Sequence, residues 1–241
     1  MRRQNTVWWA LLALSLTAIV ISVVVTVVNW NPAPSATASP AQVPTGSTDR
    51  KRTAVTADGA STMLLGADQL NSLLTMAGLQ ESGRFAQPVT AAIDRPECGG
   101  AVDPATESAY ADSGMTAAAG QSYRLPNYQH ADAVVEALAV FPDAAAATAF
   151  AAKETTRWKL CERALVMVEP SGPMVPVGEV TLVDDVLQTS ATSNPGSYGW
   201  LCQRALTAVD NAVADVKVCN FGGTNAAGDL ATAIANRVRT R

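Results

Sequence analysis

The chain has 241 residues, 48% of them hydrophobic and 16% charged, which is too apolar for a disordered polymer and suits one or two folded domains. Aromatic residues supply only 5%, so Ala and Val must fill much of any core. The formal net charge is −4, and Arg2 and Arg3 are the only charges before the first apolar run, so the remainder is more acidic still and repels a phosphate backbone, which argues against nucleic acid as a partner.

Residues 7–28 carry no charge over 22 positions, and about 20 apolar residues cross a bilayer as a helix. Trp8, Trp9 and Trp30 flank the run, where indoles favour the membrane interface. Arg2 and Arg3 precede it and Asp49 is the first charge after it. The positive-inside bias therefore places residues 1–6 in the cytoplasm, makes 7–28 a signal anchor and sends the rest out of the cytoplasm, with the membrane as the first partner. A cleavable signal peptide is the competing reading, and Ala36-Thr37-Ala38 resembles a cleavage site. The apolar core of such peptides runs about 7–15 residues, so the retained anchor is the reading taken. No cysteine precedes Cys98 to carry a lipid.

Residues 31–57 are rich in Pro, Ala, Ser and Thr, with Pro32, Pro34, Pro40 and Pro44. They read as a spacer that cannot bury enough surface to fold. Residues 58–241 suit one domain. Leu70, Leu73, Leu74 and Ala77 follow helical spacing, with Gly78 as a stop. Strand-like runs follow at 117–125 and 133–141. A helix then starts near Pro142 or Asp143 and carries Ala147, Phe150, Ala151 and Trp158. Further strand-like runs occupy 164–169, 178–188, 199–208 and 212–219. A last helix carries Leu230, Ile234 and Val238, with Arg237, Arg239 and Arg241 at the end that suits the helix dipole. Strands and helices without strict alternation predict an α+β fold: a twisted, mostly antiparallel sheet with packed helices.

The four cysteines, Cys98, Cys161, Cys202 and Cys219, are even in number and lie in the part expected outside the cytoplasm, which favours disulfides. No CxxC pair occurs and His130 is the one histidine, so no metal is expected. Asp210-Asn211 is a good two-residue hairpin turn, since both residues tolerate the left-handed region. That register sets Val209 opposite Ala212 and Cys202 opposite Cys219. The site is of the close, non-hydrogen-bonded kind, with Cα atoms about 4.5 Å apart, within disulfide range. It also sets Arg204 against Lys217, a like-charge pair that costs little if that side is solvated. Cys98–Cys161 is then the remaining bond. Chain entropy assigns it about 4 kcal/mol and the hairpin bond about 3 kcal/mol.

The segment Trp200-Leu201-Cys202-Gln203-Arg204-Ala205-Leu206, then Asn211, then Val216-Lys217-Val218-Cys219, resembles the PknH-like extracellular sensor domain, the outer part of a mycobacterial receptor Ser/Thr kinase that also occurs alone in actinobacterial envelope proteins. Phe141-Pro142-Asp143-Ala144, Phe150 and Trp158-Lys159-Leu160-Cys161 resemble it too, as does Cys98 ahead of the Tyr110 region. The likeness covers about residues 60–241. It implies the bonds Cys98–Cys161 and Cys202–Cys219, a twisted antiparallel sheet with helices, and a cleft for an unidentified ligand. No kinase domain is expected here, because only six residues precede the apolar run; signalling would need a membrane protein partner.

Catalytic signals are weak. His130 stands in Asn127-Tyr128-Gln129-His130 and reads as a solvated loop residue. Gly196-Ser197-Tyr198-Gly199 is not a nucleophile elbow. Gly99-Gly100 and Gly222-Gly223 read as turns after cysteines, and Asp184-Asp185 as a solvated face rather than a glycosidase pair. Trp158 and Trp200 read as packing beside the disulfides, with ligand stacking as the alternative. No catalytic residue and no cofactor is assigned, and the ligand-binding residues stay open. Three functions are carried forward: an extracytoplasmic sensor or ligand-binding domain, a structural or partner-binding envelope protein, and an envelope hydrolase using His130 or a carboxylate pair.

Overall fold

The structure is a computed structural model and describes residues 53–126, 133–168, 174–191, 200–221 and 225–241. The expected anchor, most of the spacer, His130, Gly196 to Gly199, Gly222-Gly223 and the Trp200 side chain lie outside the described residues. Among the described residues no helix is long and apolar enough to cross a membrane.

In chain order the elements are α1 (Ala57–Ala60), α2 (Ala67–Leu73), β1 (Gln80–Phe85), α3 (Gly99–Val102), α4 (Glu107–Tyr110), β2 (Ala117–Arg124), β3 (Val134–Val140), α5 (Ala144–Cys161), β4 (Leu165–Met167), β5 (Met174–Pro176), β6 (Thr181–Val183), β7 (Val186–Ser190), β8 (Trp200–Val209), β9 (Ala212–Phe221) and α6 (Ala226–Thr240). Seven strands form one sheet in the order β1-β2-β3-β9-β8-β7-β6, while β4 and β5 make a separate ribbon. Every strand pairing is antiparallel. The architecture is therefore the α+β class expected, with two disulfides.

Strand register divides the side chains between two faces, because paired residues point the same way. One face carries Tyr123, Val134, Leu138, Ala205, Val209, Val216 and Val218, buried with Leu230, Ile234 and Val238 of α6 and with Leu64, Leu65 and Leu70 from the first helices. The other carries Ala139, Leu187, Leu206 and Val213, buried against Ala147, Phe150 and Trp158 of α5. Phe150 stacks on Tyr110 at 4.6 Å and meets Phe141 at 5.2 Å. This small aromatic knot adds bulk to a core otherwise rich in Ala and Val.

Local chemistry sets the ends of the elements. Asp143 caps α5, its carboxylate accepting the Ala146 N–H at 2.8 Å. Gln69 reaches back to the Gly66 N–H at the start of α2. Helix α2 stops at Leu73, before Ala77, and Gly78 takes a φ of 83° that glycine adopts without penalty.

Several expectations are corrected. The run 178–188 is not one strand: Asp184 and Asp185 take φ of 49° and 63° and make a two-residue hairpin turn between β6 and β7. The run 164–169 supplies β4, which pairs with β5 and not with the main sheet. Strand β1, with exposed Gln80 and Glu81, has no apolar alternation to announce it. Gly99 and Gly100 open the buried helix α3 and are not turn residues. The folded unit also begins ahead of residue 58, since Val55 is already buried.

Candidate functional site

The first described residues, 53–65, run across one face of the sheet as a strap. Its backbone is held by side chains from four other elements. Arg241, next after α6, donates to Thr53 O through Nε at 3.1 Å and Nη2 at 2.6 Å. Asn211, in the β8–β9 turn, accepts the Val55 N–H at 2.8 Å and returns a 3.0 Å bond to Val55 O. A further Asn211 bond goes to Phe141 O at 3.0 Å. Arg237 of α6 donates to Leu64 O. Gln121 and Tyr123 of β2 donate to Leu65 O at 2.8 and 3.0 Å. Both Glu136 carboxylate oxygens accept the Leu65 N–H, at 3.0 and 3.2 Å.

Glu136 is the unusual member. It sits mid-sheet on β3 with no exposed surface, and Gln121 Nε2 donates to it at 2.6 Å. Burial disfavours its charge and pushes its pKa up to about 7, against the opposing pull of the Gln121 and Leu65 hydrogen bonds and Arg237. Burial likewise raises Tyr123 to about 12.

Between the strap and the edge of β2 lies an open groove of about 480 Å³, within the range of small-ligand sites. The strap wall is Ala57, Asp58, Ser61 and Leu64, and the opposite wall is Arg84, Phe85 and Ala86. The floor is β2 itself, where pairing with β1 ends at Phe85↔Gly120, so residues 117–119 have no partner strand on that side among the described residues. The Phe85 ring lies directly on Gly120, where a Cβ would fall 2.0 Å from Phe85 Cζ and displace the ring. Arg84 grips Glu81 with both nitrogens, at 2.6 and 2.7 Å, and that contact holds the Glu81 carboxyl below its ordinary range. The groove thus offers small apolar floor residues, a strand edge, a hydroxyl and one charge of each sign.

The opposite face of the sheet holds a sealed charge network. Arg204 has no exposed surface. It donates to Asp215 Oδ1 at 2.7 Å, to Gly100 O at 2.6 Å and to Val216 O, and its guanidinium lies 5.1 Å from the Trp158 ring. Asp215 also accepts from Ala105 N at 2.8 Å and the Tyr110 hydroxyl at 3.1 Å. Burial and the Asp215 charge push the Tyr110 phenol well above its ordinary range. Glu154, equally buried, accepts from the Trp158 indole at 3.2 Å and from Arg157 at 3.0 Å, and burial raises its pKa.

The register that set Arg204 against Lys217 is the observed one, but Arg204 is fully buried and Lys217 only partly exposed. Each cation has its own acid instead: Asp215 for Arg204, Asp103 for Lys217. The network joins the β8–β9 hairpin to α3, α4 and α5, and its centre, Arg204 with Asp215, is closed to solvent.

The disulfides lie on this same face. Cys98–Cys161 ties the turn before α3 to the end of α5, with Cα atoms 5.7 Å apart. Cys202–Cys219 crosses the hairpin, with Cα atoms 3.9 Å apart, closer than the separation of about 4.5 Å expected. Trp158 is fully buried beside the first bond, a packing residue as expected. Sequence reasoning named none of Glu136, Asn211's strap contacts, Glu154 or the Arg204–Asp215 pair.

An antiparallel sheet between helix layers, cross-linked twice, defines a small disulfide-stapled α+β module of the extracellular kind. The chain belongs to the family of PknH-like extracellular domains, whose sequence model matches residues 55–237. It is 30% identical over 188 residues to the serine/threonine-protein kinase PknH of Mycobacterium bovis, covering 74% of this chain and 30% of that protein. The PknH of Mycobacterium tuberculosis matches equally, at 30% identity over 74% of this chain and 29% of that protein. The chain therefore spans under a third of the length of these relatives. The crystal structure of the extracellular domain of Mycobacterium tuberculosis PknH superposes with a TM-score of 0.71 at 26% identity, covering 79% of this chain and all of that one.

Proposed function

We propose that this protein is a membrane-anchored extracytoplasmic sensor that binds a small ligand in the groove between residues 53–65 and β2, and that its folded domain acts by binding and not by catalysis. One observation carries the reading: a groove of about 480 Å³ with mixed polar and apolar walls, on a module of an extracellular sensor-type family. The anchor rests on the uncharged run 7–28 and its flanking Trp and Arg residues. A membrane protein partner would transmit the signal. The most deeply buried carboxylates, Glu136, Glu154 and Asp215, are engaged with backbone, indole and guanidinium partners, which supports binding over hydrolysis.

Native mass spectrometry of the full-length chain from its own membranes, followed by denaturation, tests this reading. It expects a non-covalent small-molecule adduct that is lost on denaturation. A chain without any adduct, exposed to envelope extract and still unliganded, would overturn it.

A second reading, a partner-binding envelope protein, is favoured by the apolar residues exposed on the edge hairpin, Leu182 and Val183, each 53% exposed. Cross-linking that captures one stoichiometric protein through β6, with no small ligand, would select it.

A further inference from the structure

The strap is attached in an unusual way. Its docking bonds run from side chains of the domain to main-chain atoms of residues 53, 55, 64 and 65. The holding side chains come from β2, β3, the β8–β9 turn and the end of α6, elements that pair or pack with one another without the strap's help. Removing the strap would therefore leave the sheet ladder intact. It would expose Val55, Ala60, Leu64 and Leu65 and strip Glu136 of its Leu65 N–H partner. The same segment supplies one wall of the groove through Ala57, Asp58, Ser61 and Leu64. It is also the covalent route from the folded unit to residues 1–52.

On the reading that the groove is the ligand site, we infer that residues 53–65 are a releasable strap whose docking and the occupancy of the groove favour each other. A ligand seated there touches strap and β2 together, so it binds the docked form better than the released form. Differential affinity of that kind shifts the docking equilibrium, and by linkage docking raises affinity in return. The chain ahead of the strap would then experience a change in attachment when ligand arrives, without any rearrangement of the sheet. Segments released below the free energy of global unfolding are a recognised class of motion.

Hydrogen exchange on the full-length, ligand-free chain tests the strap apart from the ligand. The Val55 and Leu65 amides are expected to exchange at least about tenfold faster than amides of β3 and β9, as a sub-global opening. Asn211→Ala removes both Val55 bonds and the Phe141 bond and is expected to speed strap exchange, Leu65 included, about tenfold more than it speeds exchange of β3 and β9. Arg241→Ala, releasing only Thr53, gives a smaller increase and serves if Asn211→Ala fails to fold. Ser61→Trp places an indole from the strap into the groove, a built-in occupant reaching Phe85 and Ala86, and is expected to slow strap exchange several-fold.

Equal exchange of the strap and β3 or β9 amides in every variant would show the strap to be part of the global unit and overturn the inference. Faster strap exchange that Ser61→Trp leaves unchanged would overturn the coupling. Neither result depends on whether an adduct is found by mass spectrometry, so failure of the strap and failure of the ligand reading are separable.

Discussion

Replacing Glu136 by Gln probes the polar centre of the strap site. In the folded protein the carboxyl titrates near 7, against an ordinary value of 4.5. A carboxylate whose folded pKa is raised holds its proton longer folded than unfolded. Between about pH 4.5 and pH 7 the native state therefore binds more protons, and stability falls as pH rises through that window and levels off above it. The gap is worth about 3 kcal/mol. The substituted side chain does not titrate, and its carbonyl oxygen can still accept the Leu65 N–H. In the Oε1 place that oxygen also keeps the Gln121 bond, while the new NH2 group, in the Oε2 place, sets a donor against the Leu65 N–H, a loss of about 1 kcal/mol. The expected result is that Glu136→Gln stabilises the domain by about 2 kcal/mol at pH 8, or several degrees in Tm. Near pH 4.5 it should be neutral or destabilising by about 1 kcal/mol. Urea unfolding followed by Trp fluorescence at a series of pH values from 4.5 to 8 measures this. A difference between variant and wild type that stays constant across the series would refute the assignment of the buried charge.

Other consequences concern the opposite face. Arg204→Met leaves the Asp215 carboxylate buried without its cation and should cost about 3–5 kcal/mol, while Arg204→Met combined with Asp215→Leu should cost clearly less than the sum of the two single changes. Urea unfolding of the four proteins gives the coupling, and additivity would remove the pair from the account. Gly100→Ala sets a Cβ 2.5 Å from Glu154 Oε2 and 3.0 Å from Trp158 Nε1. It should destabilise by about 1–3 kcal/mol and shift the Trp158 emission. Changing both cysteines of a pair to Ser should cost about 3 kcal/mol for Cys202 and Cys219 and about 4 kcal/mol for Cys98 and Cys161, read from thermal unfolding; a larger loss at the hairpin bond would contradict the loop-entropy ordering.

Much of the fold was written locally. The Asp210-Asn211 turn fixed the β8–β9 register, and the register put two cysteines face to face. The stripe Ala147, Phe150, Trp158 announced α5, and Asp143 its start. Glu154 stands four residues from both Phe150 and Trp158, on that buried stripe, so its position flagged burial and its bond to the Trp158 indole was open to reading. Most of what escaped was tertiary in origin. Arg204 alternates with Cys202 and Leu206 on a buried face, which the like-charge neighbour Lys217 disguised. Glu136 and Asn211 meet residues 65 and 55, contacts 71 and 156 positions apart that no local pattern records. The strap escaped because Thr53 to Ala57 share the composition of the spacer, and only Val55 marks them as part of the fold. The chain reversal at Asp184-Asp185 is a turn pair by residue type, but the apolar residues on both sides of it continue one strand-like run.

The groove as ligand site is tested most directly by purifying wild type and Ser61→Trp side by side from the same membranes and weighing both under native conditions. Ser61 is exposed on the strap wall, so the indole fills the groove without disturbing the core. The account expects the adduct on wild type and its loss, with unchanged fold and disulfides, on Ser61→Trp. The same adduct at equal occupancy on both proteins would place the ligand elsewhere and contradict it.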